Sequence, residues 1–340
     1  CDWSSDVCSS DLACQARIRD EPLKRYINMT RMVVVVVLGW LVMPTGFAQE
    51  TSAAPIAATD IDWERFLARH DLQWSRMPTD WYQAPFLGNG MLGTMVRQTG
   101  ERTVRWDVGR GDVQDHRPID DKTEMYSRCR LPIGYFELKT VGTISGGTMR
   151  LDLWNAEATG EITTDRGSIR WQSLVHAERM VIVVLLEPSD GERDCRWVWQ
   201  AEPAISPRQA KGRTLKGYQP NPPPTQETDG AVRLCRQPLL SGGETVTAWT
   251  QADMEGKRAL LVSVAHSFPG TTARKDAVEE LKRAAKVPLG DLLETHRAWW
   301  QAYYPASFLS FSDTYWEPLD RKSTRLNSSH SSVSRMPSSA

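Results

Sequence analysis

Apolar positions in this chain come in short bursts between residues 103 and 268, and in helical spacing after residue 270. In 148–154, Met149, Leu151 and Leu153 alternate with Arg150 and Asp152, the two-residue period of a half-buried strand. Residues 161–164 and 168–176 read as two strands joined through Asp165-Arg166-Gly167, a hairpin signal. In 180–187 the residues Val181, Ile182, Val183, Val184, Leu185 and Leu186 run without a polar break, and Pro188-Ser189-Asp190-Gly191 closes the run. Such a β-branched stretch is expected to be a strand buried on both faces. Further strands are expected at 103–108, 131–141, 196–200, 231–234, 244–252 and 258–268.

Between them, 205–230 reads as a long polar loop, in which Pro222-Pro223-Pro224 is too stiff for a strand. Before the strands, Trp63, Phe66 and Leu67 are at helical spacing behind Asp60, a candidate cap. Leu87-Gly88-Asn89-Gly90-Met91-Leu92-Gly93 then leads into a strand-like run, and a turn between strands is the favoured reading of its glycines. No βαβ unit follows, which removes a phosphate-cradling loop.

After residue 270 the period changes. Residues 275–286 place Ala277, Val278, Leu281, Ala284 and Ala285 on one side of a helix. Residues 289–304 do the same with Leu292, Leu293, His296, Trp299 and Trp300, a packing face. The expected fold class is mainly β: a large antiparallel β-sandwich (a super-sandwich) over 81–270, followed by a short α-helical linker over 271–319.

The ends carry no such pattern. Residues 2–12 (DWSSDVCSSDL) and 320–330 (DRKSTRLNSSH) are the translations of the two strands of a common short-read sequencing adapter, so 1–12 and 320–340 are read as assembly artefacts. Residues 13–28 then read as untranslated sequence carried through in frame. Met29 is the expected start of a secretory leader over 29–48: Arg31, an apolar run at 32–43, and small residues ending at Ala48. The run is short for a membrane span, and Pro44 and Gly46 end it. The expectation is a secreted or periplasmic protein with no membrane association after cleavage. Residues 49–80 read as a linker and a short helix.

Charge adds an exclusion. The 340 residues hold 41 Lys and Arg against 42 Asp and Glu, with no basic stripe, so nucleic acid is a poor partner. Cys129, Cys195 and Cys235 allow at most one intrachain disulfide and match no zinc spacing. The abundant tryptophans suit sugar faces as well as cores, and about two-thirds are assigned to the core on their apolar area.

The densest polar cluster is Asp107, Arg110, Asp112, Asp115, His116, Arg117, Asp120 and Asp121. Carboxylates with a histidine can serve a metal or a glycosidic bond, although loops between strands collect polar residues anyway. The candidate sugar-facing residues are Trp106, Asp107, Asp115, His116 and Arg117, because an aromatic ring beside carboxylates suits a sugar and its hydroxyls. No metal or cofactor is expected. His70, His176, His266 and His296 stand apart in sequence, and no HExxH, GxSxG or P-loop pattern occurs.

Three stretches in order, LGNGMLGTM (87–95), RLPIGYFELKTVG (130–142) and the run from Met149 to Glu187, resemble the N-terminal β-sandwich domain of glycoside hydrolase family 95, the α-L-fucosidase-like proteins. The similarity looks closer to relatives in domain-of-unknown-function family 5703. It implies helices leading to an (α/α)6 barrel that carries the catalytic carboxylates, beyond Leu319, so no catalytic residue is carried over. Arg105-Trp106-Asp107-Val108-Gly109-Arg110 stands where fucosidases have an Asn-Glu-Asp-Thr-Leu-Trp-like segment, a departure that puts fucose specificity in doubt. The resemblance implies the front part of a secreted glycoside hydrolase acting on plant or microbial oligosaccharides. On that reading the sandwich is a scaffold for the barrel, and the carbohydrate is bound by the parent enzyme. The alternative is a non-catalytic carbohydrate-binding or structural module; a polysaccharide-lyase-like protein is a third, weaker reading. An exposed apolar patch including Trp299, Trp300 and residues near the glycine stretch is expected where a barrel would dock.

Overall fold

The computed structural model describes residues 61–117, 130–207 and 218–306. The terminal segments, the proposed leader, Asp60, Asp120, Asp121, Cys129 and the chain after Ala306 lie outside them. Among the described residues no helix is long and apolar enough to cross a membrane.

A one-and-a-half-turn helix, α1 (Trp63–Ala68), opens the described chain, capped by Asp62, whose carboxylate accepts from the Arg65 N–H at 3.1 Å. Fourteen strands follow: β1 (Leu72–Trp74), β2 (Phe86–Gly88), β3 (Leu92–Gly100), β4 (Thr103–Arg110), β5 (Gly134–Lys139), β6 (Ile144–Asp152), β7 (Glu157–Thr164), β8 (Gly167–Val175), β9 (Val181–Pro188), β10 (Arg196–Ala201), β11 (Thr225–Asp229), β12 (Val232–Pro238), β13 (Glu244–Met254) and β14 (Lys257–Ser267). Two helices end it, α2 (Ala273–Ala284) and α3 (Leu289–Ala306).

The strands form two antiparallel sheets. One has nine strands in the order β1-β6-β7-β8-β9-β14-β13-β12-β11, the other five in the order β10-β5-β4-β3-β2. This is the expected mainly β sandwich followed by helices. Alternation along each strand fills the space between the sheets. Val104, Trp106, Val108, Phe136, Leu138, Trp197 and Trp199 come from the five-stranded sheet, and Ile162, Ile169, Trp171, Ile182, Val184, Leu186 and Val262 from the nine-stranded one.

β9 is buried on both faces, as its unbroken apolar run requires. Ile182, Val184 and Leu186 face the space between sheets. Val181, Val183 and Leu185 belong to a second core with Ala277, Val278, Leu281 and Leu292 of the two helices. Each such side chain contributes roughly 1.5–3 kcal/mol when fully buried. Alanines at 273, 277 and 284 line the buried side of α2 and let it sit close on the sheet. The layers are therefore three: a small sheet, a large sheet and a pair of helices.

Several turns follow their sequence signals. β7 and β8 close as a hairpin with Thr164 opposite Gly167. Asn89 sits in the β2–β3 hairpin, where Gly88 pairs with Gly93 and Gly90 takes φ of 90°, so the glycine stretch is a tight turn between paired strands. At Gly134, φ is 147° and a Cβ would lie 2.4 Å from the Gln200 carbonyl oxygen, so β5 and β10 approach as only glycine allows.

Three features differ from the sequence reading. β1 lies within the stretch assigned to linker and helix, and pairs with β6 through Leu72 opposite Leu151. β11 lies in the expected loop; its residues are polar and four of the five are exposed, so alternation could not reveal an edge strand held by backbone pairing to β12. On α3 the buried stripe is Leu289, Leu292, His296, Trp300 and Tyr304, with Trp300 only 3% exposed; Trp299 lies at 37% on the solvent side. The expected exposed patch therefore loses Trp300 and keeps Trp299.

Candidate functional site

The proposed sugar-facing residues do not form one surface. Trp106 is 1% exposed between the sheets, with its ring 4.9 Å from that of Trp197 and 5.5 Å from that of Trp171. It is a core residue and not a sugar platform. Asp107, the next residue on β4, points to the opposite face of the sheet, because successive side chains of a strand alternate. There it accepts from Arg105 Nε at 2.5 Å and Arg97 Nε at 3.4 Å. Arg105 also lies over the Tyr135 ring, 3.4 Å from its centroid, and reaches Glu202 at 3.0 Å. The pleat separates the two members of the expected aromatic–carboxylate pair.

The other three meet at one end of the sandwich. Asp115 is buried and takes Arg117 in a two-pronged ion pair, Nε to Oδ1 at 2.9 Å and Nη2 to Oδ2 at 2.7 Å. That bond is the main cause raising the Arg117 pKa further above its ordinary value. Arg117 also donates to the Gln219 carbonyl at 2.7 Å. His116, between them in sequence, turns its ring parallel to Phe268, 4.0 Å away, and to His266, 6.0 Å away. His266 shares a hydrogen bond of 3.0 Å with Thr245 through Nδ1. Burial lowers its pKa, opposed by the nearby Asp112 carboxylate. Arg110 grips Asp112 at 2.7 and 3.0 Å and donates to the Val264 carbonyl at 2.6 Å, tying the end of β4 to β14.

The result is a rim of parallel rings, Phe268, His116 and His266, beside two arginine–carboxylate pairs, Arg117–Asp115 and Arg110–Asp112. Phe268 is 45% exposed. A ring face with imidazole and hydroxyl groups beside it can meet both the apolar and the polar sides of a saccharide. Asp115, His116 and Arg117 meet His266, Phe268 and Thr245 there, three residues that the polar cluster in the sequence did not include. These come from distant strands and a loop, and only the pairing of β13 with β14, Thr245 opposite His266, brings them to the same end.

The buried carboxylates are committed elsewhere. Glu157 accepts from Arg297 at 2.7 and 3.0 Å and from Gln172 at 2.6 Å. Glu192 accepts from the N–H groups of Val141 and Gly142 and from the Thr164 hydroxyl, all within 2.8 Å. Glu244 pairs with Arg236. Asp71 accepts from Arg150 and from the Leu153 N–H, although burial raises its pKa overall. Among the described residues no group of three or more histidine, cysteine or acidic side chains could hold a metal ion. A shallow groove of about 350 Å³ on the outer face of β6–β9 is lined by Thr148, Thr159, Glu161, Arg170, Gln172 and Glu187, among others. Its Glu187 is occupied by Lys257 at 2.8 Å and Arg170 at 3.0 Å.

Two further histidines meet where α3 crosses the sheet. Glu178 N–H donates to His176 Nδ1 at 3.2 Å and Ala177 N–H donates to His296 Nδ1 at 3.1 Å. Each ring therefore carries its proton on Nε2, His176 donating to the Thr295 hydroxyl at 3.2 Å and His296 to the Ala156 carbonyl at 3.3 Å. Burial is the chief reason that both pKa values fall to about 4; Arg179 adds to it at His176, and His176 adds to it at His296.

No protein-family model matches the chain, and no curated protein does. One solved structure to which it is similar is described as a "Putative kojibiose phosphorylase from human microbiome", with 14% identity and a TM-score of 0.44 over 72% of this chain and 35% of that one. The chain thus spans about a third of that protein's length. At that identity and score the likeness carries no functional weight.

Proposed function

We propose that this chain is the β-sandwich portion of a larger secreted glycoside-active enzyme, acting as scaffold and partner for a helical catalytic domain and not catalytic itself. One observation carries the non-catalytic part: among the described residues the buried carboxylates Asp71, Asp107, Asp115, Glu157, Glu192 and Glu244 are held by arginines, backbone N–H groups or a hydroxyl. Glycoside cleavage needs a pair of carboxyl groups flanking an open sugar site, one of them free to carry a proton. None of these carboxylates is free to take either part. The helical layer beyond β14, the ordered motifs that resemble those of family 95 sandwiches, and the apolar leader pattern at 29–48 support the rest of the reading, including a destination outside the cytoplasm.

The test has two parts. The protein from Gln49 onward is assayed on aryl glycosides and on disaccharides with and without phosphate; the expected result is no turnover, and robust turnover would show a complete active site within this chain. The genomic sequence beyond Leu319 is then read from an intact locus. A continuing frame of about 400 residues or more with helical periodicity is expected, since such a barrel exceeds a usual domain, and a nearby stop codon would end the scaffold reading.

A second reading is favoured by the ring rim: a module that binds saccharide without cleaving it, with Phe268 as the stacking face and His116 and His266 beside it. It is compatible with the first, because a scaffold sandwich can also hold part of a long substrate.

A further inference from the structure

We propose that His176 and His296 form an acid-sensitive latch between α3 and the β8–β9 turn: the neutral pair fastens the helix to the sandwich, and protonation of either ring releases it.

Three observations support the proposal. First, the two imidazoles accept from consecutive backbone N–H groups of one turn, Ala177 to His296 and Glu178 to His176. A protonated ring has donors on both nitrogens, so it would set N–H against N–H at either place. Secondly, both side chains are almost completely enclosed, His176 at 1% and His296 at 0% exposure, and their ring centroids are 5.8 Å apart. A charge on either ring is therefore poorly hydrated, and a second charge would repel the first. Thirdly, the same turn is pinned from the other sheet by Asn89, whose side-chain amide donates to the carbonyls of His176 at 3.0 Å and Arg179 at 3.1 Å. The turn cannot easily move aside to relieve the conflict. α3 is held otherwise by Leu292, Trp300, Tyr304 and the Arg297–Glu157 pair.

The charged groups that face the pair do not offset a proton. Arg179, in the same turn, lies 3.8 Å from Glu280 of α2. Arg297, one residue beyond His296 on α3, is held by Glu157 at the start of β7. Both carboxylates are thus already matched by guanidinium groups. The β6–β7 turn contributes the Ala156 carbonyl, and the β2–β3 turn contributes the neutral Asn89. The proposal stands whether or not the chain is part of a glycoside-active enzyme, because it concerns only the joint between sheet and helix.

The test is hydrogen–deuterium exchange of the 289–306 amides in the full chain, corrected for the intrinsic effect of pH, at pH 7.5 and at pH 5. A single histidine whose pKa moves from 6.5 when free to about 4 when latched weakens the joint roughly 30-fold at pH 5. The expected result is a reversible rise of that order in α3, with β3, β4 and β5 still protected. The double variant His176→Asn with His296→Asn keeps an acceptor near each Nδ1 position and cannot titrate, so its α3 exchange should be the same at both pH values. Unchanged protection of α3 in the natural chain, or the same acid-induced rise in the double variant, would overturn the latch. If the variant does not fold, the imidazole signals of the natural chain decide by NMR: both rings still neutral at pH 5.5 support the latch, and titration of both above pH 6 overturns it.

Discussion

The backbone N–H of Ala177 donates to Nδ1 of His296 across 3.1 Å, joining two residues 119 positions apart. It fixes the tautomer of a fully buried histidine and docks α3 on the turn between β8 and β9. Burial of this ring and of His176 makes the global stability pH-dependent. His176 and His296 have folded pKa values of about 4 against 6.5 when free, so the unfolded chain binds more protons between those values. Their contribution is complete above pH 6.5 and is lost as pH falls towards 4, by up to about 3 kcal/mol for one imidazole. Urea unfolding at pH 7.5, 6 and 5 should show that decline, and His296→Asn should reduce it to the share that His176 contributes. A midpoint independent of pH over this range would contradict the assignment.

Asn89 should matter more to the sandwich than its glycine neighbours suggest. Its carboxamide oxygen accepts from the N–H groups of Met91 and Leu92 at 3.1 and 2.9 Å, while its nitrogen donates to the opposite sheet. Asn89→Ala removes both functions and should cost about 2–3 kcal/mol, as loss of several part-buried hydrogen bonds does. Asn89→Asp keeps the turn but not the donor, and should fall between the two in denaturant midpoint.

Trp106→Ala is expected to destabilise the protein by about 3–5 kcal/mol, the range for removing a large buried ring, and Trp106→Phe by less. Saccharide affinity of the folded Trp106→Phe protein should equal that of the natural chain. A selective loss of binding without loss of stability would mean that the ring faces ligand after all.

Phe268 gives the opposite pattern. It is 45% exposed, so Phe268→Ala should shift stability by no more than about 0.5 kcal/mol, as surface substitutions usually do. If the rim of parallel rings holds sugar, glycan-array or calorimetric binding should fall at least tenfold in this variant. Equal binding by both proteins would remove the rim as a saccharide site.

Cys195 and Cys235 are 2% and 4% exposed, and burial is the main cause raising both thiol pKa values. Thiolate is the reactive form, so both should resist alkylation in the native protein at pH 8 and react fully in urea. Mass spectrometry of the two peptides checks this; fast native labelling of either would show a site more open than the sandwich allows.

Local pattern sufficed for much of the fold. The period of two named most of the strands, the unbroken run from Val181 to Leu186 required cover on both faces, and the change of period after residue 270 placed α2 and α3. These features depend on neighbours in the chain, so sequence alone determined them. β11 stayed hidden because an exposed polar edge strand is held by backbone pairing, which leaves no side-chain signature. The candidate site was legible only as a polar cluster. Which face each residue meets was decided by the pleat, sending Trp106 inward and Asp107 outward, and by the register that sets Thr245 opposite His266. His266 and Phe268 beside His116, and His296 against Ala177, are contacts between segments remote in sequence. No local period encodes such contacts; they exist only once the two sheets and the helices have packed.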